Sequence, residues 1–389
     1  MAPNVESGDD RPRRADEIAE RALRETIELA AISTPSGDRS AAELCVGAAI
    51  AMLPATAEIE RIPCSSPDHA PDLLARVTGS GRARILLVGH LDTVVAHGRH
   101  RPARVQGNLL IGSGTVDMKG GDALAIGVLR AACDRPETFA EVALLLVNDE
   151  EFRTAPFAHG PRFAGFDACL CFEGGERLAD GTEAVVVKRK AAAAIRIDAD
   201  GVAAHAGAAP DAGRSALLGL ADVAGRLVAL HDPEGPDALS VVPTIMRSGE
   251  AMNAVPGSGE LFVDMRADGA DAFGAVFGAV PNDIDGVGFD VERLRLWPAL
   301  DSREISAGAI ARAAELLGRP LAASARGGAS DASNIAPHVP LAIDGLGPLG
   351  GHAHNPDEHL LIDSLGPRAE LALAVLEAVL DQRPAAMES

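Results

Sequence analysis

A histidine and an aspartate, two residues apart, follow an apolar run early in this chain. Residues 85–88 predict a short buried strand, and His90 and Asp92 come directly after it in the stretch Gly-His-Leu-Asp-Thr-Val. An imidazole can bind a cation while a nearby carboxylate fixes its tautomer. An ordinary pair of side chains has the same appearance, so this stretch alone favours a metal site and a structural pair equally.

More histidines and acids follow other apolar runs and glycine-rich turns. They are Asp117 in a Gly-rich turn, Glu150 and Glu151 after the run 142–147, Glu173 after the run 168–172, and His352 and His354 near the C-terminus. In open α/β sheets, sites are built at the carboxyl ends of the strands. Acids that cluster there are costly to bring together unless a cation neutralises them. The pattern therefore predicts a metal site at one edge of a sheet.

These residue types suit hydrolysis assisted by cations. Imidazole and carboxylate ligands bind zinc well, and also cobalt or manganese. Two neighbouring cations can lower the pKa of a shared water and polarise a carbonyl group. One acid must stay free of the ions to move protons. Glu150 and Glu151 meet this need, because only one of two adjacent side chains points easily at a given ion.

Three motifs in a fixed order resemble those of the di-zinc carboxypeptidase and deacylase family. They are His-Leu-Asp-Thr-Val, Gly-Thr-Val-Asp-Met-Lys-Gly-Gly and Asp-Glu-Glu. The family includes glutamate carboxypeptidase, acetylornithine deacetylase, succinyl-diaminopimelate desuccinylase and aminoacylase. The resemblance covers about residues 15 to 385, and the C-terminal motifs are most similar to the glutamate carboxypeptidase branch.

The resemblance implies two divalent metal ions, with zinc preferred and cobalt or manganese as alternatives. The implied ligands are His90 and Glu173 for the first ion, Glu151 and His354 for the second, and Asp117 for both. Glu150 would be the general base that takes a proton from the bridging water, and Asp92 would orient His90. The family often has a cis peptide after the bridging aspartate, which here is Asp117-Met118.

The last motif contains two histidines, and only one of them is the implied ligand. The family pattern places a glutamate four residues after the ligand, and Glu358 stands four residues after His354. His352 is then predicted to line the pocket. Glu173 is followed by two glycines, where relatives often have other residues. Its assignment therefore depends on its place after the apolar run rather than on the residues around it.

A second set of residues lies in the middle of the chain. By resemblance, His205 would reach the active site of the partner subunit and donate a hydrogen bond to the oxyanion. The structural alternative is a turn histidine that caps a helix. Asn253 and Arg266 resemble substrate-binding residues of relatives, and a guanidinium can hold a carboxylate through two hydrogen bonds. A solvated charge at a strand end explains Arg266 nearly as well.

A glycine-rich stretch at 327–331 completes the predicted substrate site. Backbone N–H groups at Gly328 and Ser330 could approach a substrate anion, because glycine permits close backbone contact. A glycine-rich loop is weak evidence by itself. This loop has the position that the family pattern gives to a substrate loop, so a binding role and a purely structural role are equally favoured.

The elements that must position these residues predict an α/β fold interrupted by a second domain. We predict a mixed-sheet zinc-peptidase catalytic domain in two parts, 15–187 and 298–389, in which a helix begins at Ala15 after a disordered lead-in. Between them, 188–297 would form an inserted, βαβ-rich α+β (ferredoxin-like) domain, which relatives use for dimerisation or as a lid.

The composition agrees with an ordinary enzyme. The 389 residues have a formal net charge of −21, which argues against nucleic-acid or anionic-membrane partners. No apolar run approaches the roughly 18 residues that suggest a membrane span, and the polar N-terminus lacks the apolar core of a secretory signal. Five cysteines, an odd number, argue against a disulfide framework. We expect a cytoplasmic protein, and the resemblance implies a homodimer.

The resulting hypothesis is a metal-dependent hydrolase that cleaves an amide bond of a small peptide or an N-acyl amino acid. A metal-bridging hydroxide would attack the carbonyl, with Glu150 as general base and His205 at the oxyanion. The substrate would carry a free carboxylate, read by Arg266, Asn253 and the 327–331 loop. The alternatives are an N-acyl amino acid deacylase, a specialised catabolic amidohydrolase and, more remotely, a non-catalytic binding protein on the same fold.

Overall fold

The computed structural model describes residues 10–381, and the chain divides into two units. The larger unit contains the described residues up to Lys188, then Asp301–Ala325 and the described residues from Ser330 onward. The smaller unit contains Arg189–Leu300 and Arg326–Ala329. The predicted α/β class with a mixed sheet is confirmed, whereas the predicted domain limits and the dimerisation or lid role of the insert stay predictions.

Eight α-helices lie within the described residues. They are α1 (Arg11–Ala30), α2 (Arg39–Met52), α3 (Gly120–Ala132), α4 (Ala216–Val228), α5 (Phe273–Ala279), α6 (Arg303–Leu317), α7 (Asp331–Ile335) and α8 (Leu365–Asp381). Helix α1 begins at Arg11 rather than at the predicted Ala15, so residues 10–14 are not a disordered lead-in; residues 1–9 lie outside the described residues. Arg11 donates to the Leu316 carbonyl at 2.7 Å and pairs with Glu377 at 3.0 Å, and these distant contacts fix the first turn.

The strands of the same residues fall into several sheets. In chain order they are β1 (Glu58–Ile62), β2 (Asp72–Thr78), β3 (Ala83–His90), β4 (Arg104–Gln106), β5 (Leu109–Ile111), β6 (Phe139–Val147), β7 (Ala168–Cys171), β8 (Glu176–Arg177), β9 (Glu183–Arg189), β10 (Ala191–Asp200), β11 (Ala204–His205), β12 (Ser240–Ser248), β13 (Ala254–Val255), β14 (Ser258–Ala267), β15 (Asp283–Ile284), β16 (Val287–Trp297), β17 (Leu300–Asp301), β18 (Leu321–Arg326), β19 (Leu341–Ile343), β20 (Gly350–Gly351) and β21 (His359–Leu361).

The main sheet of the larger unit has the order β1-β2-β6-β3-β7-β19. Strands β6, β3, β7 and β19 are parallel, β2 pairs antiparallel with β6, and β1 pairs antiparallel with β2. The central strands are continuous apolar runs with nearly every residue buried, as expected for strands that are covered on both faces. Because β6, β3 and β7 are parallel neighbours, their carboxyl ends meet at one edge of the sheet.

The smaller unit is built on an antiparallel sheet with the order β12-β14-β10-β16-β15. Its main elements follow one another as β10, α4, β12, β14, α5 and β16, which is the connectivity of a split βαβ unit. Alternate residues of β14 are buried against the helices, as a one-sided sheet requires. This connectivity is consistent with the βαβ-rich, ferredoxin-like insert that the sequence predicts.

None of the helices within residues 10–381 combines the length and apolar character that a membrane span requires.

Candidate metal centre and active site

Three neighbouring strands deliver the predicted ligands to one edge of the main sheet. His90 is the last residue of β3 and pairs in register with Val147, the last residue of β6. Cys171 ends β7 opposite Val88. The residues that follow β6 include Glu150 and Glu151, and Glu173 follows β7. The apolar runs are therefore buried strands whose ends bring these side chains together, as predicted.

The loop that carries Asp117 enters the same edge from the N-terminal end of α3. The Asp117-Met118 peptide is cis, as the resemblance implied. Gly121 lies so close to the end of β7 that an added Cβ would come within 1.9 Å of the Phe172 carbonyl oxygen. A glycine is therefore required there, and it lets the Asp117 loop approach the segment that carries Glu173.

Two groups of side chains share Asp117 and could each hold a metal ion. The first is His90, Asp117 and Glu173, and the second is Asp117, Glu151 and His354. Within each group, the candidate ligand atoms all lie within 4.8 Å of one another. One oxygen of Asp117 is 3.2 Å from His90 Nε2, and the other is 3.0 Å from His354 Nε2. A carboxylate that faces two such groups is well placed to bridge two ions.

The donor atoms of these groups fit divalent cations such as zinc. Each group offers one imidazole nitrogen and two carboxylates, which is a suitable set for zinc, cobalt or manganese. His90 Nδ1 is 3.0 Å from the Asp92 carbonyl oxygen and donates its proton to it. In a neutral ring this hydrogen bond would hold the proton on Nδ1 and turn the lone pair of Nε2 toward the centre, where a cation could replace the hydrogen bond to Asp117.

The acids and histidines of the two groups shift one another's pKa values. Hydrogen bonds to Asp117 and Glu151 raise the pKa of His354 to about 11. Burial alone would lower the pKa of His90, but hydrogen bonds to Asp117 and Asp92 outweigh it and raise that pKa well above its usual value. Burial would raise the pKa of Asp117, yet its bonds to His354 and His90 lower it. The clustered acids thus demand compensating positive charge, which bound cations supply.

Glu150 lies beside both groups but belongs to neither. Its side chain is 12% exposed, and its carboxylate is 4.0 Å from His90 Nε2. Burial raises the pKa of Glu150 well above its usual value; His90 opposes the rise, and Glu173 and Glu151 add to it. A carboxylate that lies beside the two groups but outside them could take a proton from a water molecule there and pass it on.

Asp92 has a wider role in the structure than the predicted orientation of His90. Its two carboxylate oxygens accept hydrogen bonds from the backbone N–H groups of Glu150 and Glu151, both at 3.1 Å. Ser36 Oγ also donates to Asp92, at 2.5 Å. Asp92 therefore fixes the backbone of the two glutamates as well as the ring of His90.

The structure brings His354 into the second metal group, while His352 has a different neighbour. The ring of His352 packs edge-on against His359, with centroids 5.4 Å apart. Both His352 and His354 have positive φ values, 60° and 64°, which are uncommon for residues other than glycine. Such a backbone persists only where surrounding contacts fix it, which is typical of functional loops.

Glu358 holds the Asp117 loop through its backbone. Its carboxylate accepts the N–H groups of Gly114, Val116 and Asp117, at 3.0, 3.0 and 3.1 Å. The Glu358 side chain is buried, and burial raises its pKa to about 7. In the sequence, Glu358 served only to identify His354, which stands four residues before it. No local pattern of residues indicates its contact with a loop more than 200 positions away.

We expect Glu358→Gln to weaken metal binding by about 10- to 100-fold, the usual effect of losing a group that supports metal ligands. An amide nitrogen cannot accept the N–H groups that the second oxygen accepts, so the Asp117 loop loses part of its anchor. Competition with a chromophoric chelator measures the affinity. Asp357→Asn, at a 78% exposed neighbour, is the matched control and should bind metal like the parent. Equal affinity of both variants would contradict the anchoring role.

His205 and Asn253 lie at a short β11-β13 pair in the smaller unit. His205 Nδ1 accepts the N–H groups of Gly207 and Ala208, both at 3.1 Å, so its Nε2 carries the proton. The Asn253 carbonyl accepts the N–H of Ala206 at 2.8 Å. His205 Nδ1 therefore closes a turn within its own loop and does not cap a helix, and the same contacts leave an exposed N–H that can donate to an anion.

Two of the predicted substrate residues are committed to other partners. Arg266 forms two hydrogen bonds with Asp264, at 2.9 and 3.2 Å. This pairing favours a structural charge at the strand over a guanidinium that binds the carboxylate of a substrate. Ser330 is fully buried, and its hydroxyl donates to Asp344 at 2.5 Å, so its side chain does not face a substrate. Gly328 lies in a loop, and its carbonyl accepts a hydrogen bond from Arg189.

Sequence reasoning missed Arg153, which lies three residues after Glu150. Its guanidinium joins two buried acids, Asp149 and Asp331. The spacing of four residues between Asp149 and Arg153 was the only local signal, and it is too common to identify a site.

The sequence and the fold resemble known metallohydrolases. The family model described as peptidase family M20/M25/M40 matches residues 86–378. Carboxypeptidase G2 of Pseudomonas sp. (strain RS-16) is 29% identical over 205 residues, which are 50% of this chain and 47% of that protein, so the match spans about half of that relative. Succinyl-diaminopimelate desuccinylase of Stenotrophomonas maltophilia (strain R551-3) is 27% identical over 331 residues, 79% of this chain and 87% of that protein.

Two solved structures have a similar fold at low sequence identity. A tripeptidase from Staphylococcus aureus has a TM-score of 0.73 and 20% identity, with 94% of this chain and 99% of that chain covered. The aminopeptidase PepT from Bacillus cereus has a TM-score of 0.71 and 20% identity, with coverages of 93% and 98%. At this identity the likeness establishes the fold alone.

Proposed function

Because this chain belongs to peptidase family M20/M25/M40, a family of metal-dependent hydrolases of peptide and acyl amide bonds, we propose that it releases a C-terminal amino acid from a small peptide or an N-acyl amino acid. The observation that supports this reaction best is Asp117, shared by two histidine–carboxylate groups with the unshared Glu150 beside them. The likeness to a carboxypeptidase over half of the chain favours a leaving amino acid with a free carboxylate.

We propose that His90, Asp117 and Glu173 hold one divalent ion, and that Asp117, Glu151 and His354 hold a second. Zinc is the first choice for both, with cobalt or manganese as alternatives. When bound, such ions polarise the scissile carbonyl and lower the pKa of a water molecule. Within the described residues, these are the only two groups of potential metal ligands that have a residue in common.

The protein's own residues then move the proton and orient the groups. Glu150 takes a proton from the attacking water and passes it to the leaving nitrogen. Asp92 holds the ring of His90 and the backbone of Glu150 during this transfer. In a homodimer, the N–H at Nε2 of His205 would donate to the oxyanion in the active site of the partner subunit.

An N-acyl amino acid deacylase is the second candidate function. The desuccinylase relative is matched over 87% of its length, against 47% for the carboxypeptidase, which favours this reading. The pairing of Arg266 with Asp264 also weakens the proposed grip on a free carboxylate. Both reactions cleave an amide with the same core residues, so the substrate alone separates them. The protein is a hydrolase, so the non-catalytic alternative is not retained.

A substrate panel distinguishes the two candidates. The purified protein, loaded with zinc or cobalt, is tested on dipeptides, glutamate amides and N-acyl amino acids, each with its C-terminal ester and a chelated control. Chelator-sensitive cleavage of peptide or glutamate bonds, with loss of activity on the esters, is expected. Cleavage of simple N-acyl substrates alone would transfer the assignment to a deacylase. If no substrate of the panel is cleaved, the carboxypeptidase and deacylase assignments both fail, and a specialised amidohydrolase is the alternative that remains. Cytoplasmic location stays a prediction.

A further inference from the structure

The guanidinium of Arg153 connects the segment of the two active-site glutamates to a distant part of the larger unit. Its side chain is only 6% exposed. Nε and Nη2 donate to one oxygen of Asp149, at 3.1 and 2.9 Å. Nη1 and Nη2 donate to the two oxygens of Asp331, at 2.8 and 3.0 Å. A planar guanidinium that makes four short hydrogen bonds has little freedom to move.

Both carboxylate oxygens of Asp149 accept hydrogen bonds in this network. Its second oxygen accepts the N–H and the hydroxyl of Ser66, at 2.9 and 2.8 Å. Ser66 Oγ in turn accepts the N–H of Thr154 at 2.9 Å. Asp149 also stands with Cys64 and Asp72 in a group whose ligand-type atoms lie within 4.8 Å. Because its oxygens already accept four donors and Arg153 adds a positive charge, this group does not suit a cation.

The residues between Asp149 and Arg153 are the two active-site glutamates and Phe152. The Asp149–Arg153 ion pair closes this five-residue segment on itself. On the other side, Asp92 accepts the backbone N–H groups of Glu150 and Glu151. The segment is therefore held by buried polar contacts at its ends and in its middle, which restricts the directions that the two glutamate side chains can take.

The anchor at the far end of the network is Asp331. It is the first residue of α7, directly after Ser330, where the chain re-enters the larger unit. Ser330 is itself fixed to Asp344 at 2.5 Å. Arg153 thus joins the glutamate segment to Asp331, 178 residues later in the sequence, and the preceding residue, Ser330, is fixed by a buried hydrogen bond.

We propose that Arg153 is a positioning residue, which sets Glu150 for proton transfer and Glu151 for metal binding by tying their segment to Asp331. The inference deepens the proposed function and rests on it. The residue does not touch the reacting atoms. It acts by preorganisation, and displacements of about 1 Å in such a site can cost on the order of 10²-fold in rate.

Arg153→Lys and Asp331→Asn test this role from both ends of the same contact. Lysine keeps the positive charge but cannot make the forked bonds, and asparagine keeps the size but loses the charge. We expect each variant to lower kcat by about 10- to 100-fold, with KM changed by less than about 3-fold. Because both changes break one contact, the double variant should lose little more than either single variant. Arg162→Lys, at a half-exposed arginine paired with Glu60, is the control.

A second readout does not depend on turnover. The visible absorption of the cobalt-loaded protein reports the geometry around the ions, and it should change in Arg153→Lys and Asp331→Asn but not in Arg162→Lys. Folded variants with parental kcat and a parental cobalt spectrum would overturn the proposal. If the parent protein turns over no substrate, the proposed function fails, and the cobalt spectra still decide whether Arg153 positions Glu151. If Arg153→Lys does not fold, Asp331→Asn alone decides in the same way.

Discussion

Glu150→Gln is expected to lower kcat by about 10²- to 10⁴-fold while both metal ions stay bound. Glutamine has nearly the same size, but its amide cannot take a proton from water or return it to the leaving nitrogen. Glu150 belongs to neither metal group, so its loss should spare metal binding. Steady-state kinetics give kcat, and elemental analysis of the dialysed protein gives the metal content.

The matched control for this change is Glu137→Gln, at an exposed turn residue, which should behave like the parent protein. Parental kcat in Glu150→Gln would remove this residue from the role of general base. A loss of metal together with kcat would instead make Glu150 a ligand, and the two groups around Asp117 would have to be reassigned.

Asp117→Ala is expected to remove both metal ions and to abolish activity. This one carboxylate faces His90 with one oxygen and His354 with the other, so each ion loses a ligand when it is replaced. The two histidines and the acids Glu151 and Glu173 would then remain without the bridge. Activity should fall at least as far as in Glu150→Gln, because both the positioning and the chemistry of the ions are lost.

A comparison within the same centre sharpens this prediction. Glu173 belongs only to the first group, so Glu173→Ala should lose about one ion and keep the other. Elemental analysis after dialysis against a defined zinc buffer gives both stoichiometries. Two ions retained in Asp117→Ala would refute the bridging role. Loss of both ions in Glu173→Ala would mean that the two groups do not bind independently.

The sequence by itself determined the chemical residues and the edge of the sheet at which they meet. Apolar runs without alternation are typical of strands buried on both faces, and they became β3, β6 and β7. Since each run is followed by His, Asp or Glu, parallel neighbours had to bring those side chains together. The order and spacing of the motifs then selected His354 over His352, and the structure brings His354 into a metal group.

Only the tertiary structure decided which side chains hold this site in place and which are committed elsewhere. Glu358 anchors a loop 242 residues away, and Arg153 meets Asp331 across 178 residues. The Ser330 hydroxyl is buried and donates to Asp344, a contact that the glycine-rich sequence did not indicate, while the predicted role of the backbone N–H of Ser330 stays a prediction. Periodicity and motif spacing encode local conformation and which face of an element is buried. A hydrogen bond between distant residues depends on how the elements pack, and no local pattern of residues contains that information.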